Sequence, residues 1–205
     1  MGDYADIKYL KMKTGILLSG GMDSVALAFW KRPQIAFTVN YGQLGAEGEL
    51  RASRIISQEL NIQHEIISVD CRQLGSGDLT GIPQLQNTPT SDWWAFRNQL
   101  LLTLAGMKCL ALGVRTLMFG SVKTDSFIDS SPDFFDKIGA LFAIQEGNIE
   151  IIAPAINLTT TELIKTSGIP NSVLAWSHSC NISDYACGHC RGCIKYLAVM
   201  NELKR

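Results

Sequence analysis

The segment Ser19-Gly20-Gly21-Met22-Asp23-Ser24 lies between an apolar stretch, Gly15-Ile16-Leu17-Leu18, and an apolar-rich run, Val25-Ala26-Leu27-Ala28-Phe29-Trp30. That order spells a strand, a glycine turn and a helix start. Two adjacent glycines let the backbone turn sharply and approach a ligand with no side chain in the way. Ser19 and Ser24 add hydroxyls, and the first turn of a helix adds N–H donors that have no partner inside the helix. A pocket of this kind suits an anion. A serine-glycine turn that merely caps a helix is the plainer reading, but it uses neither the preceding strand nor Asp23 and Ser24 at their offsets.

The alternation of strand and helix continues along the chain. Apolar periodicity and β-branched runs predict strands over residues 34–39, 65–69, 116–120 and 150–153. Helices are predicted over 46–60, 94–112, 134–144, 160–167 and 194–204, with Thr159 or Thr160 as the N-cap of the fourth. Such alternation implies an α/β fold with a doubly wound parallel sheet. The 205 residues suffice for one well-buried core with a small appendage. We divide them into an α/β domain, 1–175, and a cysteine-rich segment with a terminal helix, 176–205. Residues 70–92 and 121–132 lack periodicity and read as loops, the first long enough to be functional. In open sheets ligands bind beyond the carboxyl ends of strands, where residues 19–24, 40–43 and 120–125 all fall.

Eighteen basic residues against nineteen acidic ones leave a formal charge of −1, so no extended nucleic-acid surface is expected. Asp3, Asp6, Lys8 and Lys11 break up any signal-peptide pattern, and Asp6 spoils the myristoylation pattern that Met1-Gly2 begins. The longest apolar segment, residues 100–114, contains Lys108 and is too short to span a membrane. The chain reads as soluble and cytoplasmic.

Four of the six cysteines crowd together as Cys180, Cys187, Cys190 and Cys193. Four thiolates satisfy tetrahedral zinc with no open position, the pattern of a structural site. An iron–sulfur cluster would use the same ligands, but nothing else in the chain suggests redox work. His178 is a candidate replacement for Cys180, which we prefer, and His189 between the ligands is expected to point outward. Cys71 and Cys109 read as ordinary buried thiols.

The glycine turn has no lysine after it and so is not a Walker site. Its Ser-Gly-Gly-x-Asp-Ser form resembles the PP-loop of the ATP pyrophosphatase superfamily. Together with Asn40-Tyr41-Gly42-Gln43 and Cys187-Gly188-His189-Cys190-Arg191-Gly192-Cys193, it makes residues 16–193 resemble the 7-cyano-7-deazaguanine synthase family, QueC. Phe96-Arg97-Asn98 is similar to that family's Ala-Arg-Asn segment, and Gly120 with Asp125 to its Gly-x-Asn-x-x-Asp stretch.

The resemblance implies a PP-loop, adenine nucleotide α-hydrolase-like fold with ATP, Mg2+ and Zn2+. It implies adenylation of the carboxylate of 7-carboxy-7-deazaguanine, displacement by ammonia to the amide, and a second activation that dehydrates the amide to the nitrile. ATP would be bound by Leu18, Ser19, Gly20, Gly21, Met22, Asp23 and Ser24, with Val39 and Tyr41 near adenine. Ser19, Asp23, Ser24 and Arg97 would serve catalysis, Asp23 as a Mg2+ ligand or water holder. Arg97, Asn98, Gly120 and Asp125 would meet the acid, and Cys180, Cys187, Cys190 and Cys193 the zinc. A homodimer is also implied. Read plainly, Arg97 is a surface cation or salt-bridge partner and Asp125 a loop cap.

The chain departs from the family at four places. Asn40 stands for aspartate, and Ser126-Phe127-Ile128-Asp129-Ser130-Ser131-Pro132-Asp133 replaces Ser-Gly-Tyr-Pro-Asp-Cys-Arg, leaving no arginine there. Thr159-Thr160-Thr161-Glu162 lacks the family's lysine, and Cys180 falls two places beyond His178, later than usual after Trp176-Ser177. These changes motivate an alternative: a QueC-like enzyme that couples the activated acid to another amine, such as one on a partner protein, as in QueC-like members of antiphage operons. A tRNA-thiolating PP-loop enzyme is more remote, lacking the basic surface it would need. A zinc-ribbon interaction module is the furthest reading.

Overall fold

Five strands form one parallel sheet in a computed structural model that describes residues 13–204. They are β1 (Lys13–Leu17), β2 (Ile35–Asn40), β3 (Gln63–Ser68), β4 (Val114–Met118) and β5 (Glu150–Ile152), in the spatial order β3-β2-β1-β4-β5. Met1-Gly2 and the charged positions Asp3, Asp6, Lys8 and Lys11 lie outside the described residues. Around the sheet run α1 (Met22–Lys31), α2 (Ala46–Glu59), α3 (Arg97–Leu112), α4 (Pro132–Ala143), α5 (Thr160–Ser167), α6 (Asn171–Leu174) and α7 (Arg191–Glu202).

Side chains alternate across each strand, and this alternation feeds two cores. Ile16 and Leu18, with Ala36 and Met118, pack against Val25 of α1, Leu163 and Ile164 of α5, Leu174 of α6 and Val199 of α7. Leu17, with Phe37 and Leu117, packs on the other face against Leu102 of α3 and Phe135 and Ile138 of α4. Each such fully buried side chain contributes about 1.5–3 kcal/mol by leaving water. Cys71 and Cys109 are buried in this second core.

The chain leaves β1 toward β2 on one side and later returns through α3 to β4 on the other. The ends of β1 and β4 therefore diverge, opening a crevice at the switch point of the sheet. The doubly wound parallel architecture read from the sequence is the one observed.

Element boundaries shift where local capping overrides periodicity. Helix α3 starts at Arg97, three residues later than periodicity suggests, because Phe96 takes a left-handed conformation (φ 59°). Strand β4 starts directly after Gly113, whose φ of 71° ends α3. Helix α4 starts early, at Pro132, since Ser131 Oγ accepts the Phe134 N–H at 3.2 Å and proline suits the first helical position. Thr159 caps α5, its hydroxyl accepting from Glu162 N–H while Glu162 Oε2 accepts from Thr159 N–H at 2.8 Å. The loop 70–92 is packed: Ser76, Leu79 and Thr80 are buried, and Leu79 O accepts the Leu44 N–H at 2.8 Å.

Candidate nucleotide pocket and cysteine centre

The glycine turn leaves β1 with Leu18 fully buried, its carbonyl accepting from Thr38 Oγ1 at 2.6 Å. Gly20 then adopts φ +82°, and a Cβ there would stand 2.7 Å from Ala52 Cβ of α2, so only glycine fits. Gly21 is the N-cap of α1 with no side-chain cap, which leaves the first N–H groups of that helix without a side-chain acceptor. Ser24 Oγ donates to Gly21 O at 3.0 Å and lies 3.3 Å from Ser19 Oγ, so both hydroxyls face the same turn.

This turn forms one wall of a cavity of about 650 Å3 at the sheet's switch point. Ser19, Gly21, Met22, Asp23, Ser24, Val39, Tyr41, Arg97, Asn98, Gly120 and Asp125 all line it. Leu18 and Gly20 do not; they shape the turn from behind. A Cβ on Gly120 would be 3.3 Å from the backbone of Ser24, so the end of β4 closes tightly on the start of α1. Asn40 Oδ1 accepts the Gly42 N–H at 3.1 Å, a turn-forming bond that aspartate or asparagine can make.

Three buried polar atoms of cavity-lining residues, Asp23 Oδ1, Thr160 Oγ1 and His178 Nε2, have no hydrogen-bond partner. Buried polar groups are rarely left so, and their placement here suits a polar ligand.

Arg97 stands amid Tyr41, Asp129, Asp92 and Glu49; burial opposes its charge, but these neighbours hold its pKa up. Tyr41 packs edge-on against Trp94 (5.0 Å between centroids), and burial raises its pKa. Asn98 Nδ2 donates to Asp129 O at 2.9 Å and to Ser130 Oγ at 3.1 Å, anchoring the segment 126–133. Asp125 caps its own loop, Oδ2 accepting from Val122 N–H at 3.1 Å, while Oδ1 lies 3.5 Å from Lys195 Nζ.

Among the cavity residues that escaped sequence reasoning are Glu49, Lys195 and Arg191. Glu49 of α2 read as one charge on an amphipathic helix; it accepts from Gln43 Nε2 at 2.9 Å, and burial pushes its carboxyl up to about 7. Lys195 lies two residues past the last clustered cysteine and forms an ion pair with Asp23 Oδ2 at 2.8 Å. Arg191, between two clustered cysteines, reaches Ser126 Oγ at 3.0 Å and packs over the Phe127 ring. The only signal for these two was their place within or directly after the cysteine motif.

The sulfurs of Cys180, Cys187, Cys190 and Cys193 all lie within 4.8 Å of one another, and none is in a disulfide. The Cys187–Cys193 and Cys180–Cys190 sulfur separations are 3.9 Å. Zinc–sulfur bonds of about 2.3 Å at tetrahedral angles place sulfurs about 3.8 Å apart, so the four fit one zinc ion. Backbone N–H groups of Asn181 and Cys193 point at Cys190 Sγ, and that of Cys190 at Cys187 Sγ, as thiolates require. Hydrogen bonding, first from the His189 N–H, holds the Cys187 thiol down at about 6, whereas burial pushes Cys193 up to about 12. His178 is not in the group: its ring packs against Gly48 of α2, where a Cβ would come within 2.5 Å of it. His189 is exposed.

Among the described residues no helix is long and apolar enough to cross a membrane. The family model described as "Queuosine biosynthesis protein QueC" matches residues 13–203. The 7-cyano-7-deazaguanine synthase of Desulforudis audaxviator is 32% identical, covering 89% of this chain and 93% of the relative. That of a Nostoc species is 31% identical over 94% of each. Among solved structures, the NMN synthetase of Francisella tularensis aligns with 98% of this chain and 80% of its own at 17% identity and a TM-score of 0.49, too loosely to carry function. With its glycine turn, crevice and cysteine centre in one arrangement, and a family match over nearly its whole length, the chain belongs to the QueC family.

Proposed function

We propose that this chain uses ATP to activate the carboxylate of 7-carboxy-7-deazaguanine and, with ammonia, carries it through the amide to 7-cyano-7-deazaguanine. The observation that supports this most is the glycine turn opening into the same cavity as Arg97 and the unpartnered oxygen of Asp23, in a chain whose curated relatives are named for that product.

A carboxylate resists attack by an amine until one oxygen becomes part of a leaving group. In the proposed reaction a carboxylate oxygen attacks the α-phosphorus of ATP, the bond to the bridging oxygen breaks, and pyrophosphate departs. The nitrogen lone pair of ammonia then forms a bond to the acyl carbon, AMP leaves with its bridging oxygen, and the nitrogen loses a proton to water. In the second activation the amide oxygen attacks the α-phosphorus of another ATP and pyrophosphate departs. AMP then leaves with that oxygen as the nitrogen loses two protons and the nitrile forms. Charge accumulates on pyrophosphate as it departs, where the Ser19 hydroxyl and the N–H groups of α1 would donate, and Ser24 Oγ would join them by turning its proton from Gly21 O. Asp23 Oδ1, buried and unpartnered, would hold Mg2+ or its water once turned to the cavity. Val39 and the buried face of Tyr41 offer an apolar wall for adenine, and the planar fork of Arg97 suits the acid's carboxylate. Asn98 and Asp125 border the acid's side of the cavity, Asp125 with an oxygen for a guanine-like N–H edge. The zinc has a structural role, holding the start of α7 against the cavity. We include a homodimer in this reading, testable by light scattering.

The test is product analysis by mass spectrometry with the acid, ATP and ammonium. The expected result is the nitrile, with AMP and pyrophosphate released in each activation. Adenylate without nitrile would direct the activated acid to another amine, such as a protein acceptor, a reading that the replaced segment 126–133 favours. Absence of any ATP-dependent change in the acid would overturn both.

A further inference from the structure

We propose that Lys195 is a direct ligand of the departing pyrophosphate, and that the cysteine centre serves to place it. This rests on the ATP-dependent reading, which leaves the lysine without a role.

The glycine turn and the N-terminus of α1 are suited to an anion, yet the cavity beside them carries Asp23 and Asp125. Two carboxylates next to a phosphate site repel the ligand unless a cation accompanies them. Lys195 Nζ lies between them, 2.8 Å from Asp23 Oδ2 and 3.5 Å from Asp125 Oδ1, and its side chain is partly open to the cavity. An ammonium is a compact charge on a flexible stem, so it can keep one carboxylate and turn a second N–H to a phosphate oxygen. The unpartnered Asp23 Oδ1 and Thr160 Oγ1 mark the same wall as built for a polar ligand.

A closed ring of contacts determines where Lys195 stands. Gly20 O in the glycine turn accepts the His178 N–H at 2.8 Å. The next residue, Ser179, presses its carbonyl on α7 so closely that a Cβ on Gly192 would lie 1.8 Å from it. Cys190 Sγ caps α7 through the Cys193 N–H, and Lys195 follows half a turn later, pointing back to Asp23. Cys180 and Cys190, on either side of this junction, belong to the one sulfur group. A metal ion there ties both strands of the ring together.

The experiment is calorimetric titration of the metal-loaded protein with inorganic pyrophosphate in excess Mg2+, for the wild type, Lys195→Met and Lys195→Arg. Loss of a charge-assisted contact predicts binding weakened about 10–100-fold in Lys195→Met. Lys195→Arg should recover most of it, with metal content and circular dichroism unchanged in both. Metal removed by a chelator, with the sheet intact by circular dichroism, should weaken pyrophosphate binding in the wild type but add little to Lys195→Met. Lys195→Met that binds as the wild type does would overturn the assignment, and a chelated wild type with full affinity would overturn the metal's part in it. A wild type that binds no pyrophosphate would instead overturn the ATP-dependent reading on which both stand.

Discussion

Arg191 Nη1 donates to Asp92 Oδ1 at 3.0 Å, while Asn181 Nδ2 donates to Asp92 Oδ2 at 3.1 Å. One carboxylate thus fastens the end of the long loop 70–92 to both flanks of the cysteine centre. Burial disfavours its charge, but hydrogen bonds from Thr90 and Arg191 hold its pKa below the usual range. The Arg191 side chain is 42% exposed and that of Asp92 12%, which places the pair between a screened surface bridge and a buried one. A double-mutant cycle of Arg191→Ala and Asp92→Asn, read by urea unfolding, should give a coupling of about 1 kcal/mol. A coupling indistinguishable from zero would mean that the Arg191–Asp92 pair adds nothing to the hold of the Asn181 and backbone hydrogen bonds on the loop.

Gly20→Ala should damage stability and ligand binding together. Its positive φ costs about 1 kcal/mol or more for alanine, and the new methyl would collide with Ala52, adding about 1–3 kcal/mol. Chemical denaturation should show a loss of about 2–4 kcal/mol, with weaker ATP binding in the fraction still folded. A variant as stable as the wild type would show that the turn relaxes freely.

Glu49 should make stability fall as pH rises toward neutrality. Burial raises its carboxyl from 4.5 in the unfolded chain to about 7 in the fold, against weaker pulls downward from Gln43 and Arg97. The folded state therefore holds the proton more tightly. The associated stability is fully present below about pH 4.5 and is lost by about pH 7. Unfolding free energies of wild type and Glu49→Gln, compared at pH 5 and pH 8, should differ in their pH dependence by about 1–3 kcal/mol. Parallel pH profiles would refute this.

The cysteine centre should hold one zinc ion per chain, with no visible absorption of an iron–sulfur cluster. Cys190→Ser removes the sulfur that both caps α7 and accepts the Asn181 N–H. We expect elemental analysis to show most of the metal lost, and the thermal midpoint to fall to that of chelator-treated wild type. Full zinc content in Cys190→Ser would place the ion on other ligands.

Local sequence determined what local chemistry can determine. The glycine pair at Gly20-Gly21 could only be a turn, because its backbone has to visit a region closed to other residues and to pass Ala52 at contact distance. Strand and helix alternation was legible because each element must present an apolar face to one of two cores, as Leu17 and Leu18 do on opposite sides of the sheet. The spacing of Cys187, Cys190 and Cys193 was legible because the start of α7 brings Cys190 and Cys193 together and the turn before it brings Cys187 to them.

Only the tertiary structure decided which distant residues share the cavity. The pairing of Lys195 with Asp23 spans 172 residues, and that of Arg191 with Asp92 spans 99, so no local pattern encodes either. Glu49 differs from the other charges of α2 because it faces the cavity, bonded to Gln43 and within electrostatic reach of Arg97 across the sheet end. Long-range pairing depends on how the cores and the cysteine centre set helix α7 against the switch point of the sheet. That placement brings charges of both signs to one glycine turn.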